Sequence, residues 1–198
     1  MTDLAGDLAL IVEAAREGAI LAGAERVKGL EIERKPGGSP VTSADYAVDA
    51  FLKDRLRTAR PDYGWLSEET PDNPGRLKHR RIFVVDPIDG TRDFIRGRSG
   101  WAVSVALVSN GRSLIASLEA PARKERWQAT AGKGATLNGE PLVASDRAEL
   151  VGARVPAADL AKADRSLVAV EQPNGIALRA AMVSIIPVLG IQAGFVLS

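Results

Sequence analysis

The chain has 198 residues, enough for one large domain or two small ones with a hydrophobic core. Its 26 Lys and Arg residues balance 25 Asp and Glu residues, and the two signs are interspersed, so the composition argues against a nucleic-acid-binding surface. Because the sequence has no Cys, disulfide bonds, thiolate zinc sites and Cys nucleophiles are excluded.

Two amphipathic helices are predicted in the N-terminal part of the chain. The first covers about residues 3–25, where acidic residues such as Asp7 interrupt the apolar ones. This pattern is typical of neither a signal peptide nor a membrane anchor, so the sequence favours a cytoplasmic protein. The second helix covers about residues 43–60, and the segment Thr42-Ser43-Ala44-Asp45 before it reads as a capping box.

Short β-strands follow the helices. Residues 101–109 and 112–120 flank Asn110-Gly111, which predicts a β-hairpin with a type I′ turn. A further strand is predicted at residues 125–130, and another strand and turn at 137–142. Helices packed outside an extended, largely antiparallel sheet indicate an α+β layered fold.

The chain is predicted to divide near residue 145. Residues 1–145 form the N-terminal α+β domain in this interpretation, and residues 146–198 form part of a second, α/β domain. Two helices and one strand are predicted in the second part, at about residues 156–164, 174–183 and 166–170. The stretch from Ala180 to Ser198 has no charge, but a Pro, two Gly and a Gln interrupt it, which argues against a membrane helix.

The most informative motif is Asp86-Pro87-Ile88-Asp89-Gly90-Thr91-Arg92-Asp93-Phe94. It follows the apolar, β-branched run at 81–85, so we expect Asp86 at the exit of a buried strand and a turn between Asp86 and Asp89. Hard cations such as Mg²⁺ prefer carboxylate oxygens, and these two residues supply them. A helix predicted to open at Thr91 presents free N–H groups, which suit phosphate oxygens.

A second acidic pair, Glu68-Glu69, follows the short strand that includes Trp65 and Leu66. If Glu68 and Asp86 converge, the site has enough negative charge for two or three divalent ions. Such ions activate water and stabilise a leaving oxygen, so the pattern predicts metal-assisted hydrolysis of a phosphoester.

Structural alternatives exist for each of these residues. Asp-Pro and Asp-Gly are common turn dipeptides, so Asp86–Gly90 alone could be a tight connection. Glu69 could be a solvated charge at a strand end, and Asp45 could serve only as a helix cap. Lys35 precedes a flexible Pro-Gly-Gly segment, where a solvated lysine is an equal alternative to a functional one.

Other charged residues near these motifs are expected to be solvated. Arg92, Arg96 and Arg98 follow the predicted phosphate loop and could attract a second phosphate, since a guanidinium donates two bonds at once. Surface solvation is the simpler explanation for any one of them. His79, the single histidine, lies in a basic connector and is interpreted as solvated rather than catalytic.

Taken together, these motifs resemble the lithium-sensitive, Mg²⁺-dependent inositol monophosphatase superfamily, whose fingerprint is Glu-Glu at a strand end followed by Asp-Pro-x-Asp-Gly-Thr. Lys35 and the segment Gly38–Asp45 are similar to the family's N-terminal Lys and Thr-x-x-Asp segment. The resemblance covers about residues 1–180 in order. It implies an αβαβα sandwich and in-line attack of an activated water on a phosphate monoester, without a covalent enzyme intermediate.

The resemblance also implies ligands for two or three Mg²⁺ ions. The first ion is assigned to Glu68, Asp86 and the carbonyl group of Ile88, and the second to Asp86 and Asp89. Glu69 is assigned to an outer ion, which it reaches through water.

Further roles implied by the resemblance concern catalysis and substrate binding. Thr91, with Glu68, helps to orient the attacking water, and Gly90 with Thr91 cradles the phosphate. Asp45 is the acidic residue near the outermost ion, and Lys35 is a basic residue on the loop before it. The implied partner is a small phosphorylated metabolite, with no nucleic acid and no membrane, and the sequence leaves the oligomeric state open.

The chain departs from the family pattern at its C-terminal end. Full-length members contribute a Trp-Asp-x-x-Ala motif whose Asp completes the second metal site, and this sequence has no Trp-Asp pair. The expectation is therefore a truncated or frame-altered second domain, with a weakened second metal site. A catalytically weak remnant that binds metal or phosphate is one alternative function.

The substrate predicted by the resemblance is a 3′(2′),5′-bisphosphate nucleotide, such as adenosine 3′,5′-bisphosphate. The segments Gly38-Ser39-Pro40-Val41-Thr42 and Thr91-Arg92-Asp93-Phe94-Ile95 are closer to this branch than to inositol phosphatases. An inositol-1-phosphate or sugar phosphatase is the alternative within the same reaction class.

Overall fold

The computed structural model describes residues 3–143. Its helices are α1 (Leu4–Lys28), α2 (Ser43–Ala59) and α3 (Thr91–Ile95). Its strands are β1 (Ile32–Arg34), β2 (Pro40–Thr42), β3 (Gly64–Ser67), β4 (Arg81–Asp89), β5 (Ala102–Ser109), β6 (Arg112–Ala120), β7 (Glu125–Thr130), β8 (Gly134–Leu137) and β9 (Glu140–Leu142). Two 3₁₀ turns cover Pro74–Lys78 and Pro121–Arg123.

Helix α1 begins after Asp3, whose side-chain oxygen accepts a hydrogen bond from the N–H of Gly6 at 2.8 Å. The helix buries a stripe of small residues, including Ala15 and Ala19, and packs against α2, β5 and β6. Small side chains allow this close packing: a Cβ on Gly18 would lie 3.3 Å from a methyl group of Val48 in α2. The predicted helix at 3–25 is confirmed and extends three residues further.

Helix α2 begins with the predicted capping box. The Thr42 side chain accepts from the backbone of Asp45, and the Asp45 side chain accepts from the backbone of Thr42. Val48, Leu52 and Leu56 recur at helical spacing and are fully buried against the sheet. The packing of this apolar face fixes the direction in which the other residues of α2 point.

Within residues 3–143, the main sheet has seven strands in the order β3-β4-β5-β6-β7-β8-β9. Strands β3 and β4 run parallel, and each later strand is antiparallel to the one before it, while β1 and β2 form a separate two-stranded sheet. The hairpin between β5 and β6 turns at Asn110 and Gly111, both with positive φ, as the type I′ prediction requires. The α+β architecture is confirmed.

Strand β4 differs from the prediction at its end. The sequence predicts a strand exit at Asp86 and a turn between Asp86 and Asp89, whereas β4 continues to Asp89. Its register against β5 shifts between these two residues, where Pro87 has no N–H to donate to the ladder. The irregularity turns Ile88 into the helix-covered core, which also contains Phe83 and Val85.

The sheet buries apolar residues on both faces. One face packs against the helices, and the other carries a smaller cluster of Leu66, Val84, Ala106 and Ala116. No helix within residues 3–143 combines the length and the apolar character that a membrane-spanning segment needs. The predicted domain boundary at 145, the helices at 156–164 and 174–183 and the strand at 166–170 lie outside the described residues.

A buried ion-pair network joins the beginning of α1 to the end of α2 and the start of β4. Asp7, 1% exposed, accepts hydrogen bonds from Arg60 at 2.7 Å, from the Tyr63 hydroxyl at 2.9 Å and from Arg81 at 2.8 Å. The Arg81 side chain is itself only 10% exposed. Asp7 therefore neutralises a guanidinium that has little access to water.

We expect Asp7→Ala to lower the free energy of unfolding by about 3–5 kcal/mol, because it leaves the Arg81 guanidinium buried without its carboxylate. Urea denaturation followed by circular dichroism measures this loss. Asp54→Ala, which removes an exposed carboxylate from α2, is the control and should change stability by less than about 0.5 kcal/mol. A comparably small effect of Asp7→Ala would contradict the proposed role of the network.

Candidate metal and phosphate site

The parallel pairing of β3 with β4 brings the acidic motifs together. Ser67 at the end of β3 pairs with Val85 of β4, and the N–H of Glu68 donates to the carbonyl oxygen of Val85 at 3.2 Å. Glu68 therefore lies beside the next residue of β4, which is Asp86. Two motifs separated by a long connection thus meet at one edge of the sheet.

Asp86 is a buried carboxylate with an unsatisfied oxygen. The residue is 4% exposed, and its Oδ1 atom has no hydrogen-bond donor among residues 3–143. Burial raises its pKa well above the usual range, and repulsion from Glu68 and then Asp89 adds to the shift. An acceptor oxygen left in this way is costly for the fold unless a proton or a cation satisfies it.

Lys35 is an ion-pair partner and not a solvated lysine. It lies between β1 and β2, and its ammonium group contacts Oε1 of Glu68 at 3.0 Å and Oε1 of Glu69 at 2.7 Å. Burial lowers its pKa, but hydrogen bonds to Glu69 and Glu68 outweigh this effect and raise the pKa overall. The two adjacent glutamates therefore already hold one positive charge.

Glu69 is likewise not a solvated strand-end charge. Its side chain is only 4% exposed, and the contact with Lys35 compensates part of its desolvation. Burial still raises the pKa of Glu69 above its usual value, although the hydrogen bond from Lys35 lowers it.

Asp45 caps α2, as one of the two readings of the sequence predicts, and it also contacts Thr91, while its proximity to an outer metal ion stays a prediction. Its Oδ2 atom accepts from the backbone N–H of Thr42 at 2.7 Å and from the Thr42 hydroxyl at 2.6 Å, which caps α2. Its Oδ1 atom lies 3.3 Å from the Thr91 hydroxyl, which also lies 3.1 Å from the carbonyl oxygen of Ile88. Burial raises the pKa of Asp45, even though the Thr42 hydrogen bonds oppose the shift.

Gly90 connects β4 to α3 in a conformation that favours glycine. Its φ is +84°, and a Cβ there would lie 2.2 Å from the carbonyl oxygen of Gly100. The Gly90 carbonyl oxygen accepts from the N–H groups of Asp93 at 2.8 Å and Phe94 at 3.0 Å, which closes the first turn of α3. Phe94 is fully buried against Trp101 in an edge-to-face contact, and this packing anchors the loop.

The predicted site residues are thus gathered from four segments, but they do not form a ready-made chelate. Among residues 3–143, no three His, Asp or Glu side chains are arranged as a group that could hold a metal ion. The donor set nevertheless fits a hard cation, because it consists of carboxylates, the Ile88 carbonyl group and the unsatisfied Asp86 Oδ1. The Lys35 ammonium group shows that a cation is accommodated between Glu68 and Glu69.

The charged residues predicted to be solvated are largely so. Arg92, Arg96 and Arg98 are exposed, and Arg98 lies 3.7 Å from Asp93. His79 is partly exposed, and its Nδ1 atom contacts the carbonyl oxygen of Asp62 at 2.7 Å. None of these contacts involves the acidic residues of the site.

Asp49 is a buried carboxylate near the site that was not predicted from the sequence. It lies four residues after Asp45 on α2 and is 7% exposed. A signal was available, because residues four apart share one face of a helix, and Asp45 had already been selected on that face.

We expect Asp86→Asn to stabilise the metal-free protein and to abolish its stabilisation by Mg²⁺. Because the pKa of Asp86 is raised in the folded state, its ionisation destabilises the fold above the unfolded value of about 3.9. The gain in melting temperature of the variant in EDTA should therefore grow as the pH rises from about 4 toward the raised pKa of Asp86 in the folded state, and vanish below about 4.

Thermal melts in EDTA and in Mg²⁺ test this expectation, with Asp54→Asn as a control that should match the wild type under both conditions. The result that contradicts it is a variant less stable than the wild type at about pH 8 in EDTA that still gains as much from Mg²⁺.

We expect Gly90→Ala to destabilise the protein more than Gly139→Ala does. Both glycines have nearly the same positive φ, +84° and +89°, so both substitutions cost about 1–2 kcal/mol of backbone strain. Only Gly90 has the Gly100 carbonyl oxygen in the path of the new methyl group; nothing lies within 4 Å at Gly139. Urea denaturation measures the free energy of unfolding of the two variants, and the difference between them reports the steric clash with the Gly100 carbonyl oxygen. Equal losses of stability would contradict this close approach at Gly90.

Curated relatives match the part of the chain that contains the site. The 3′(2′),5′-bisphosphate nucleotidase CysQ of Escherichia coli K12 is 38% identical over 109 residues, which is 54% of this chain and 44% of the relative. The histidinol-phosphatase of Mycobacterium tuberculosis H37Rv is 41% identical over 106 residues, 54% of this chain and 40% of the relative. The chain spans less than half the length of these two relatives.

Solved structures and a family model agree with these matches. The extragenic suppressor protein suhB of Bartonella henselae superposes with a TM-score of 0.67 at 30% identity, over 74% of this chain and 57% of the other. The model of the inositol monophosphatase family matches residues 5–173. This chain therefore belongs to the inositol monophosphatase family.

Proposed function

We propose that this chain carries catalytic residues of a Mg²⁺-dependent phosphomonoesterase that acts on a small phosphorylated metabolite. The observation that carries the proposal is the buried Asp86 carboxylate, with its unsatisfied Oδ1 atom, beside Glu68 and on the strand that leads into the loop at Gly90. Burying these carboxylates lowers the stability of the fold in the absence of a cation. A bound cation, together with a phosphate, compensates this cost.

The residues that would hold Mg²⁺ are Glu68, Asp86, Asp89 and the carbonyl group of Ile88, with Glu69 reaching an outer ion through water. Two or three ions are expected, as the family resemblance implies. Bound Mg²⁺ supplies Lewis-acid stabilisation of the charge that develops on the phosphate and on the leaving oxygen. Lys35 supports this role by balancing the charge of Glu68 and Glu69.

The loop at Gly90 and Thr91 would bind the phosphate. The first N–H groups of a helix lack intrahelical partners, so the N–H groups of Gly90 and Thr91, which precede the bonded N–H groups of Asp93 and Phe94, can donate to phosphate oxygens. The absence of a side chain at Gly90 permits close approach of the backbone.

In this proposal, Thr91 orients the attacking water. Its hydroxyl group has one hydrogen and two acceptors nearby, Asp45 Oδ1 and the Ile88 carbonyl oxygen. When the hydrogen points to either of them, the lone pairs of the Thr91 oxygen can accept a hydrogen bond from the water. The water then attacks phosphorus in line with the ester oxygen, and the ester P–O bond breaks as the new P–O bond forms. The proton that the water gives up ends on the departing oxygen, so that inorganic phosphate and an alcohol are released.

The preferred substrate in this proposal is a 3′(2′),5′-bisphosphate nucleotide. The Gly38–Thr42 and Thr91–Ile95 segments favour it, and so does the similarity to a 3′(2′),5′-bisphosphate nucleotidase. The match to a histidinol-phosphatase supports a second candidate, histidinol phosphate, and inositol 1-phosphate or a sugar phosphate is a third. All three belong to the same reaction class and would use the same metal and phosphate site.

We expect phosphate release from adenosine 3′,5′-bisphosphate in Mg²⁺, with less release from inositol 1-phosphate and histidinol phosphate, no release in EDTA and inhibition by Li⁺. Asp89→Asn should reduce kcat/KM by about 100-fold or more. The loss should be at least this large because Asp89 is a proposed metal ligand, and even residues that only orient such ligands cost about 10–100-fold when they are changed. Asp72→Asn, an exposed carboxylate, is the control.

A colorimetric phosphate assay measures these rates, and circular dichroism confirms that the variants are folded. Full activity of Asp89→Asn would remove Asp89 from the site. A chain that binds no Mg²⁺ and releases no phosphate from any of the three substrates would refute the proposed function. Faster release from histidinol phosphate or inositol 1-phosphate would refute the nucleotide preference alone.

A further inference from the structure

The turn at Ser67–Thr70, which follows β3, contains both glutamates of the site. The side chain of Asp49 on α2 forms hydrogen bonds with both ends of this turn. Asp49 accepts a hydrogen bond from the Ser67 hydroxyl at one end of the turn. At the other end, the Thr70 hydroxyl donates to the second oxygen of the same carboxylate at 2.5 Å. Asp49 therefore clamps the residues immediately before and after Glu68-Glu69.

A third contact extends the clamp to the backbone between the glutamates. The Ser67 oxygen accepts from the N–H of Glu69 at 3.4 Å, while the N–H of Glu68 is bonded to the Val85 carbonyl oxygen on β4. The turn is thus held on one side by α2 and on the other by the strand that carries Asp86. These bonds restrict the directions in which the two glutamate side chains leave the backbone.

The position of Asp49 on α2 is itself well defined. Val48, its neighbour, is fully buried in the core, and Asp45, one turn earlier, caps the helix and contacts Thr91. One face of α2 therefore contacts the proposed phosphate loop through Asp45 and the glutamate turn through Asp49. A carboxylate suits the second position, since its two acceptor oxygens receive two hydroxyl donors at once.

We propose that Asp49 is a positioning residue that sets the affinity of the site for divalent cations by holding Glu68 and Glu69 toward Asp86. This inference rests on the proposed function, because it assumes that the glutamates bind metal. Side chains that orient metal ligands without touching the ion change metal affinity by about 10–100-fold when they are removed. Asp49 would act in this way through Ser67 and Thr70.

The test is titration calorimetry of the 198-residue chain with Mg²⁺, without substrate. We expect Asp49→Ala to weaken binding by about 10–100-fold, and Asp49→Asn, which keeps one acceptor oxygen, to restore most of the affinity. Asp54→Ala on the same helix is the surface control. Ile115→Ala, which removes buried core contacts from β6, is the stability control and should leave the Mg²⁺ affinity of the folded protein unchanged.

Thr70→Val provides a second, independent variant, because it removes one hydroxyl donor and keeps the side-chain volume. We expect it to weaken Mg²⁺ binding by about 3–10-fold and to add nothing in the Asp49→Ala background, since both changes break the same contact. It also decides the question if Asp49→Ala does not fold. Unchanged affinity in Thr70→Val and in whichever Asp49 variant folds would overturn the inference.

The failure of this inference can be told apart from failure of the proposed function. If the wild type binds no Mg²⁺ and Glu68→Gln behaves like it, the metal site itself is wrong. If the wild type binds Mg²⁺ and loses it in Glu68→Gln, while the Asp49 and Thr70 variants bind normally, the metal site stands and the positioning role is rejected.

Discussion

The parallel pairing of β3 with β4 is the constraint on which the candidate site depends. Every other neighbouring pair in the described seven-stranded sheet is antiparallel, and antiparallel neighbours place the end of one strand beside the start of the next. Parallel neighbours end at the same edge, so the turn after β3 meets the residues that end β4. Without this pairing, Glu68 and Asp86 would not lie side by side, and the negative charges of the two motifs would not be combined at one edge of the sheet.

This concentration of charge has to be supported by the rest of the structure. Burial raises the pKa of Asp86, Asp45 and Glu69, which means that the fold disfavours their ionised forms in the absence of a counter-charge. Lys35 offsets part of the cost at Glu69, and hydroxyl donors offset part of it at Asp45. Asp86 keeps an oxygen without a donor in the described part of the chain. A cation bound at Asp86 would offset the cost of burying this carboxylate.

Local signals explain why much of the fold could be predicted from the sequence. The hairpin at Asn110-Gly111 and the cap at Thr42 are determined by residues within a few positions, and both were predicted with nearly correct bounds. The continuation of β4 to Asp89 was not predicted, because a register shift at Pro87 is decided by pairing with β5. The contacts of Lys35 with Glu68 and Asp49 with Thr70 join residues 33 and 21 positions apart, which no local pattern encodes.

Helix α2 connects the hydrophobic core with the chemistry of the site. Its apolar face is fixed against the sheet by Val48, Leu52 and Leu56, and interiors packed this tightly permit little rotation. The same helix directs Asp45 toward Thr91 and Asp49 toward the glutamate turn. The distance between the proposed phosphate loop and the proposed metal ligands is therefore set by how α2 packs, and only partly by the loops themselves. Loop residues can then supply ligands and backbone donors while the core supplies the precision that catalysis requires.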